Sequence, residues 1–220
     1  TNAMAQDAEQ ADEGKYEVIT VTARKKNETL IEVPMNISAV GAAEIMDRNL
    51  VNTDDLFRTI AGGSFPQTGM HSELILRGLS GGNDSTPNTT STFTDGVEFE
   101  FGDLFDVERV EVLRGPQGTL WGSNAIGGTV QVITKAPVMN EFEVIGSMQA
   151  TQEKNGSGLA TRANVAINMP LIEDKMALRV TGMSAFEPGK MLNTYSGRHN
   201  EDKQQYVRAQ LLFNATDDLT

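Results

Sequence analysis

Gly115, Gly118 and Gly122 sit at spacings that could gather backbone amides around an anion, so a phosphate-cradling loop is the first chemistry to weigh. The run lacks the Gly-Lys-Ser/Thr ending of a P-loop, and its spacing misses the dinucleotide fingerprint. His71 and His199 are the only histidines and lie far apart in sequence, which speaks against a multi-histidine metal site. The chain has no cysteine, and that excludes disulfides, cysteine-ligated metals and thiol nucleophiles. Glu108 and Glu111 neighbour Arg109 on one strand and read as solvated or salt-bridged surface groups, not as an acid–base pair. Triplets such as Asn83-Asp84-Ser85 read as chance glycosylation matches. The expectation is a chain with no catalytic residue, no metal and no cofactor.

Two other groups point to contacts and not to reactions. Arg77 and Arg114 each follow an apolar strand and precede a glycine, so each is expected to be partly buried at a strand end. A buried guanidinium is costly unless carboxylates pair with it. Near the start, Glu17, Val18, Ile19, Thr20, Val21, Thr22 and Ala23 form a short β-branched segment. Such an extended segment offers its backbone N–H and C=O groups to a partner's sheet edge. An ordinary edge strand of the following domain is the alternative.

The elements that position these residues are short. Asp106 to Lys135 reads as strand, glycine turn, strand. Val107, Arg109, Glu111 and Leu113 alternate with Glu108, Val110, Val112 and Arg114, which suits a short strand with charges on its edges. Arg114-Gly115-Pro116 breaks it, and Thr129 to Ile133 is a second β-branched strand. Ala42 to Arg48 predicts a helix with Ile45 and Met46 on its apolar side. Thr53 is the expected N-cap of a second helix over 54–60, with Leu56, Phe57 and Ile60 as its buried stripe and Gly62-Gly63 as its stop. The polar stretch from Gly81 to Ser91 has loop chemistry.

Beyond Glu141 the period changes to two. Ala163, Val165, Ile167 and Met169 alternate with Arg162, Asn164 and Asn168. Met176, Leu178 and Val180 alternate with Arg179 and Thr181, and Val207, Ala209, Leu211 and Phe213 alternate with Arg208, Gln210 and Asn214. Strands of about ten residues with this alternation suit a lipid-out, lumen-in barrel. A soluble antiparallel sheet gives the same pattern. Glu173-Asp174 reads as a turn, and Glu187-Pro188-Gly189-Lys190 opens a surface loop.

The run from Asp106 to Lys135 closely resembles the hallmark of the plug domain of TonB-dependent outer-membrane receptors. Further segments follow in family order over residues 17–137. Glu17–Lys25 resembles the TonB box and its exit, and Val33–Val40 the first plug strand. Leu74–Gly78 is similar to the strand ending in Arg-Gly, and Phe93–Val97 to the Asp-Gly hairpin. Ser123 departs from the larger polar or basic residue of many relatives. The resemblance implies an α+β plug, a small mixed sheet with short helices, followed by antiparallel strands of a truncated transmembrane β-barrel.

It also implies active uptake of a scarce nutrient such as a ferric siderophore, cobalamin or glycan. Residues 17–23 would bind the TonB C-terminal domain, driven by the proton-powered inner-membrane complex. Arg77 and Arg114 would lock plug to barrel-wall acids, and loops holding Met70, His71, Asn83, Asp84 and Ser85 would face the small-molecule or chelate ligand. The expected location is the bacterial outer membrane, with the plug toward periplasm and barrel lumen and lipid around the complete barrel.

The organisation expected is a disordered leader at 1–16, a TonB-box-like segment at 17–24, a plug at 25–137 and first barrel strands at 138–220. Ala3-Met4-Ala5 resembles either the tail of a signal-peptide cleavage site or an expression remnant. About four candidate strands are far fewer than the 22 or so of large plugged transporters, so a fragment that does not itself transport is expected. The net charge of −12 lacks the basic footprint of nucleic-acid binding. No run reaches the ~18 apolar residues of a spanning helix. The rival readings are a soluble periplasmic or surface β-rich binding module and a hydrolase with a glycine-rich loop, for which two isolated histidines scarcely supply a base.

Overall fold

The computed structural model describes residues 20–22, 28–29, 36–64, 67–68, 71–72, 74–79, 89–99, 103–116, 118–122, 125–152, 158–189 and 192–215. They fall into two compact units. One holds the chain up to Leu104 together with Arg109–Ile133, and the other holds Phe105–Glu108 together with the chain from Thr134.

In the first unit, β1 (Thr20–Val21) pairs antiparallel with β2 (Glu28–Thr29). Strand β3 (Ile37–Gly41) runs directly into helix α1 (Ala42–Asp47). Only Ile45 of the expected apolar pair is buried, and Met46 is 73% exposed, because consecutive helical residues point about 100° apart. Helix α2 (Thr53–Thr59) is capped by Asn52, whose side chain accepts from the Asp55 N–H at 2.9 Å. That corrects the expected cap by one residue: Thr53 is itself buried in the first turn. Leu56, Phe57 and Ile60 form the buried stripe.

Four two-residue strands follow: β4 (Gly63–Ser64), β5 (Gln67–Thr68), β6 (His71–Ser72) and β7 (Ile75–Leu76), with β4 paired to β7 and β5 to β6. Strands β8 (Thr90–Thr94) and β9 (Val97–Glu98) make the expected hairpin. Asp95 and Gly96 both have positive φ, 49° and 81°, as a two-residue primed turn demands.

Strand β10 (Val107–Arg114) leads through α3 (Gly118–Trp121) to β11 (Gly128–Thr134). A helical turn thus stands where a plain glycine turn was expected. The sheet order is β3-β10-β11-β8-β9, parallel between β11 and β8 and antiparallel at β3/β10 and β8/β9. Val110, Glu111, Val112 and Leu113 are all fully buried, so the middle of this strand is covered on both faces. Glu108 is exposed, Arg109 and Arg114 are half-buried near its ends, and of its charges only Glu111 is enclosed. Leu113, Phe93, Trp121 and Ala125 form a core cluster joined by Ile37, with the Phe93 and Trp121 rings 4.8 Å apart and tilted by 58°.

The second unit is an antiparallel sheet of β12 (Glu143–Gln152), β13 (Leu159–Ile172), β14 (Met176–Glu187) and, after a small ladder of β15 (Leu192–Asn193) and β16 (Arg198–His199), β17 (Asp202–Phe213). The order is β12-β13-β14-β17. The β15–β16 ladder lies in the stretch read from sequence as a plain loop. Cross-strand rows alternate in character. Met169, Leu178 and Leu211 share one row, and Ile167, Val180 and Ala209 another. The phase between them holds Asn168, Arg179 and Gln210, then Ala166, Thr181 and Arg208.

Burial is inverted relative to a soluble sheet. Val207 is 77% and Leu211 60% exposed, whereas Asn168 and Arg179 are each 1% exposed. No helix among the described residues is long and apolar enough to cross a membrane, which says nothing of a crossing by strands.

Candidate functional site

Two clusters of polar side chains are built into the described residues, one in each unit. In the second, Asp106 has φ 60° and follows Phe105 in a turn, so its carboxylate leaves the line of β10. Strands β14 and β17 bring Arg179, Thr181 and Arg208 to it from neighbouring rows of the polar face. Arg179 Nε donates to the carboxylate at 3.0 and 3.1 Å, and its Nη2 makes a further short bond to Oδ1. Thr181 Oγ1 donates to Oδ2 at 2.6 Å, and Arg208 Nη2 donates to Oδ2 at 2.9 Å. On its far side Arg179 Nη1 donates to Glu143 of β12 at 3.0 Å.

Two guanidinium groups therefore face two carboxylates. This balance, with several charge-assisted bonds, is what allows Arg179 to be buried. The backbone is tied in as well: the Lys135 N–H donates to Asp106 O at 3.0 Å. Beside it, Asn168 Nδ2 donates to the carbonyls of Val138 and Glu141, and its Oδ1 accepts from the Val138 N–H at 2.9 Å. The bonds to Asp106 explain why Phe105–Glu108 belongs with the unit that begins at Thr134, and not with the strand it opens.

The first unit holds the other cluster. Of the predicted docking segment, Glu17, Val18, Ile19 and Ala23 lie outside the described residues, whereas Thr20, Val21 and Thr22 are placed. Val21 is fully buried. The Thr22 N–H donates to Glu111 Oε1 at 2.8 Å and its hydroxyl donates to the same oxygen at 3.2 Å. Arg109 Nε donates to that oxygen too, at 2.9 Å. Glu111 is salt-bridged, as the sequence suggested, but it is wholly buried and not solvated.

Arg77 and Arg114 are not brought together with carboxylates among the described residues. Arg114 is half-buried, and its Nη1 donates to Asn36 Oδ1 at 2.9 Å. Arg77 is exposed, contrary to expectation, because it takes φ 57° and turns out of the strand end with Gly78 at φ 73°. Its Nη1 reaches over Gly115, where an added Cβ would lie 3.2 Å away. Of the predicted ligand loops, Met70, Asn83, Asp84 and Ser85 lie outside the described residues, and the backbone of His71 is in β6. No group of three His, Asp or Glu that could hold a metal occurs among the described residues.

Sequence reasoning missed the Asp106 cluster. Its signal was present in part: alternation puts Arg179, Thr181 and Arg208 in the polar phase of their strands. Nothing local indicates that they converge on a residue over 70 positions earlier.

Comparison with known proteins follows the same outline. The TonB-dependent Receptor Plug Domain family matches residues 29–129. The iron-regulated outer membrane virulence protein of Vibrio cholerae is 29% identical over 194 residues, covering 83% of this chain and 29% of that protein. The vitamin B12 transporter BtuB of Vibrio vulnificus is 28% identical over 159 residues, covering 67% of this chain and 26% of the transporter. The crystal structure of the ferric yersiniabactin uptake receptor FyuA from Yersinia pestis superposes with a TM-score of 0.69 at 25% identity, covering 80% of this chain and 28% of the receptor. The chain thus spans less than a third of the length of each of these relatives.

Proposed function

The chain belongs to the TonB-dependent receptors through its plug domain at residues 29–129, and on that premise we propose that it serves energy-coupled uptake of a scarce nutrient across the outer membrane. The family is one of receptors and not of enzymes, and the Vibrio cholerae relative is an outer-membrane protein. The observation that carries the proposal is the sheet with its apolar rows outward and its ionic cluster inward. Exposed Val207 and Leu211 suit lipid, and a soluble sheet would turn them the other way. That also disfavours the soluble binding module.

In this reading Glu17–Ala23 docks on the TonB C-terminal domain by adding a strand to its sheet. The inner-membrane proton-driven complex then does work on the plug, and ordering or release of a segment opens a path. The plug faces periplasm and barrel lumen. The ligand is a small molecule or chelate, of the ferric siderophore, cobalamin or glycan class, met by loops that include Met70, His71, Asn83, Asp84 and Ser85. Arg77 and Arg114 hold plug to barrel-wall carboxylates.

Proline at Val18 or Val21 removes a backbone donor from the docking strand. The expected result is loss of energy-dependent uptake in cells with receptor level and ligand binding retained. Normal uptake by both variants would remove the docking assignment. For the lock, Arg77→Ala and Arg114→Ala should each raise passive antibiotic permeability, and unchanged permeability in both would end that part of the reading.

A further inference from the structure

We propose that Glu111 is a latch that sets how often the docking segment is available to its partner. The inference rests on reading residues 17–23 as the docking strand and adds how that strand is held. Its ladder is minimal: Thr20 pairs with Thr29 and Val21 with Glu28. A two-residue ladder is too short to persist alone. The remaining hold described is burial of Val21 and the clasp on Thr22, where both the N–H and the hydroxyl donate to Glu111 Oε1.

Arg109 donates to that same oxygen. Oε2, equally buried, has no hydrogen-bond partner among the described residues. Three donors on one oxygen and none on the other is an incompletely satisfied carboxylate, and such a group is costly to bury. A residue kept only for stability of the strand would be better replaced by an apolar one, like its neighbours Val110 and Val112. The geometry instead fits a group whose task is to grip the backbone of a segment that must be both extended and releasable. Arg109 Nε donates to the same oxygen, so the carboxylate keeps one charge-assisted partner when Thr22 departs.

Breaking a charge-assisted bond of this kind shifts an opening equilibrium by about tenfold or more. Availability then governs apparent affinity, since the observed Kd is the intrinsic one divided by the competent fraction. The test uses the full-length receptor in outer membranes, in a cysteine-free background. Val21→Cys reports release by its rate of maleimide labelling. Val132→Cys, at another fully buried position, reports general loosening of the plug.

Glu111→Ala should speed labelling at position 21 about tenfold and leave position 132 unchanged. Glu111→Gln should give a smaller increase, because its amide oxygen still accepts. With Val21 intact, affinity for a TonB C-terminal domain should rise by the same factor in Glu111→Ala. Unchanged labelling at position 21, or equal acceleration at 132, overturns the latch. Faster labelling at 21 alone, with TonB affinity unmoved, overturns the docking reading beneath it and reduces the clasp to a fold contact.

Discussion

Asp106 receives donors from Arg179, Thr181 and Arg208, and its side chain is only 1% exposed. Removing one partner of such a network leaves buried charge without compensation, which costs about 3–5 kcal/mol. Asp106→Ala is therefore expected to lower the unfolding temperature of the full-length receptor markedly, as read by heat-dependent mobility in gels. Glu143→Gln, at a carboxylate 38% exposed, should cost far less, since solvent already screens that pair. Equal melting of Asp106→Ala and parent would show the network to be idle. The sequence placed Arg179, Thr181 and Arg208 on the polar phase of their strands. Their common partner was not legible, because the opening residues of β10 read as part of an ordinary strand.

At the scale of elements, the strands and turns followed from local chemistry and their ends did not. The Asp95-Gly96 hairpin was readable because two consecutive positive φ values favour those residues. The cap of α2 fell on Asn52, and both Asn52 and Thr53 are competent caps. Asn52→Ala should destabilise the plug by about 1 kcal/mol, measurable as earlier proteolysis of the helix. A tight packing point in the plug is Gly128 at the start of β11. At φ 154° an added Cβ would run into the backbone oxygen of Leu113 and lie 2.7 Å from Leu76 Cδ1, so backbone must move. Gly128→Ala is expected to cost about 1–3 kcal/mol, and protease resistance equal to the parent would contradict this packing.

For the whole molecule, the exposed apolar rows are the feature that separates a membrane sheet from a soluble one. Leu211 is 60% exposed on that face. Leu211→Arg should cost about 2–4 kcal/mol near the bilayer midplane, seen as poorer folding of the full-length receptor into phosphatidylcholine vesicles. In a soluble sheet the same change would be harmless or would aid solubility, and that outcome would restore the binding-module reading.

The amino-acid sequence by itself determined the family motif, the α+β plug, the period-two strands and the lack of cysteine. These rest on turn residues, helix stripes and alternation, all set by neighbours a few positions apart. Which face of the second sheet is buried, that Glu111 is enclosed and not solvated, and that Arg77 turns outward were decided only by the tertiary structure. So were the ionic and clasping contacts, which join residues separated by 73 and 102 positions at Asp106 and by 89 at Thr22. Alternation is symmetric between two faces, and a carboxylate's partner at such a distance leaves no local trace. Only the packed chain breaks the first symmetry and supplies the second contact.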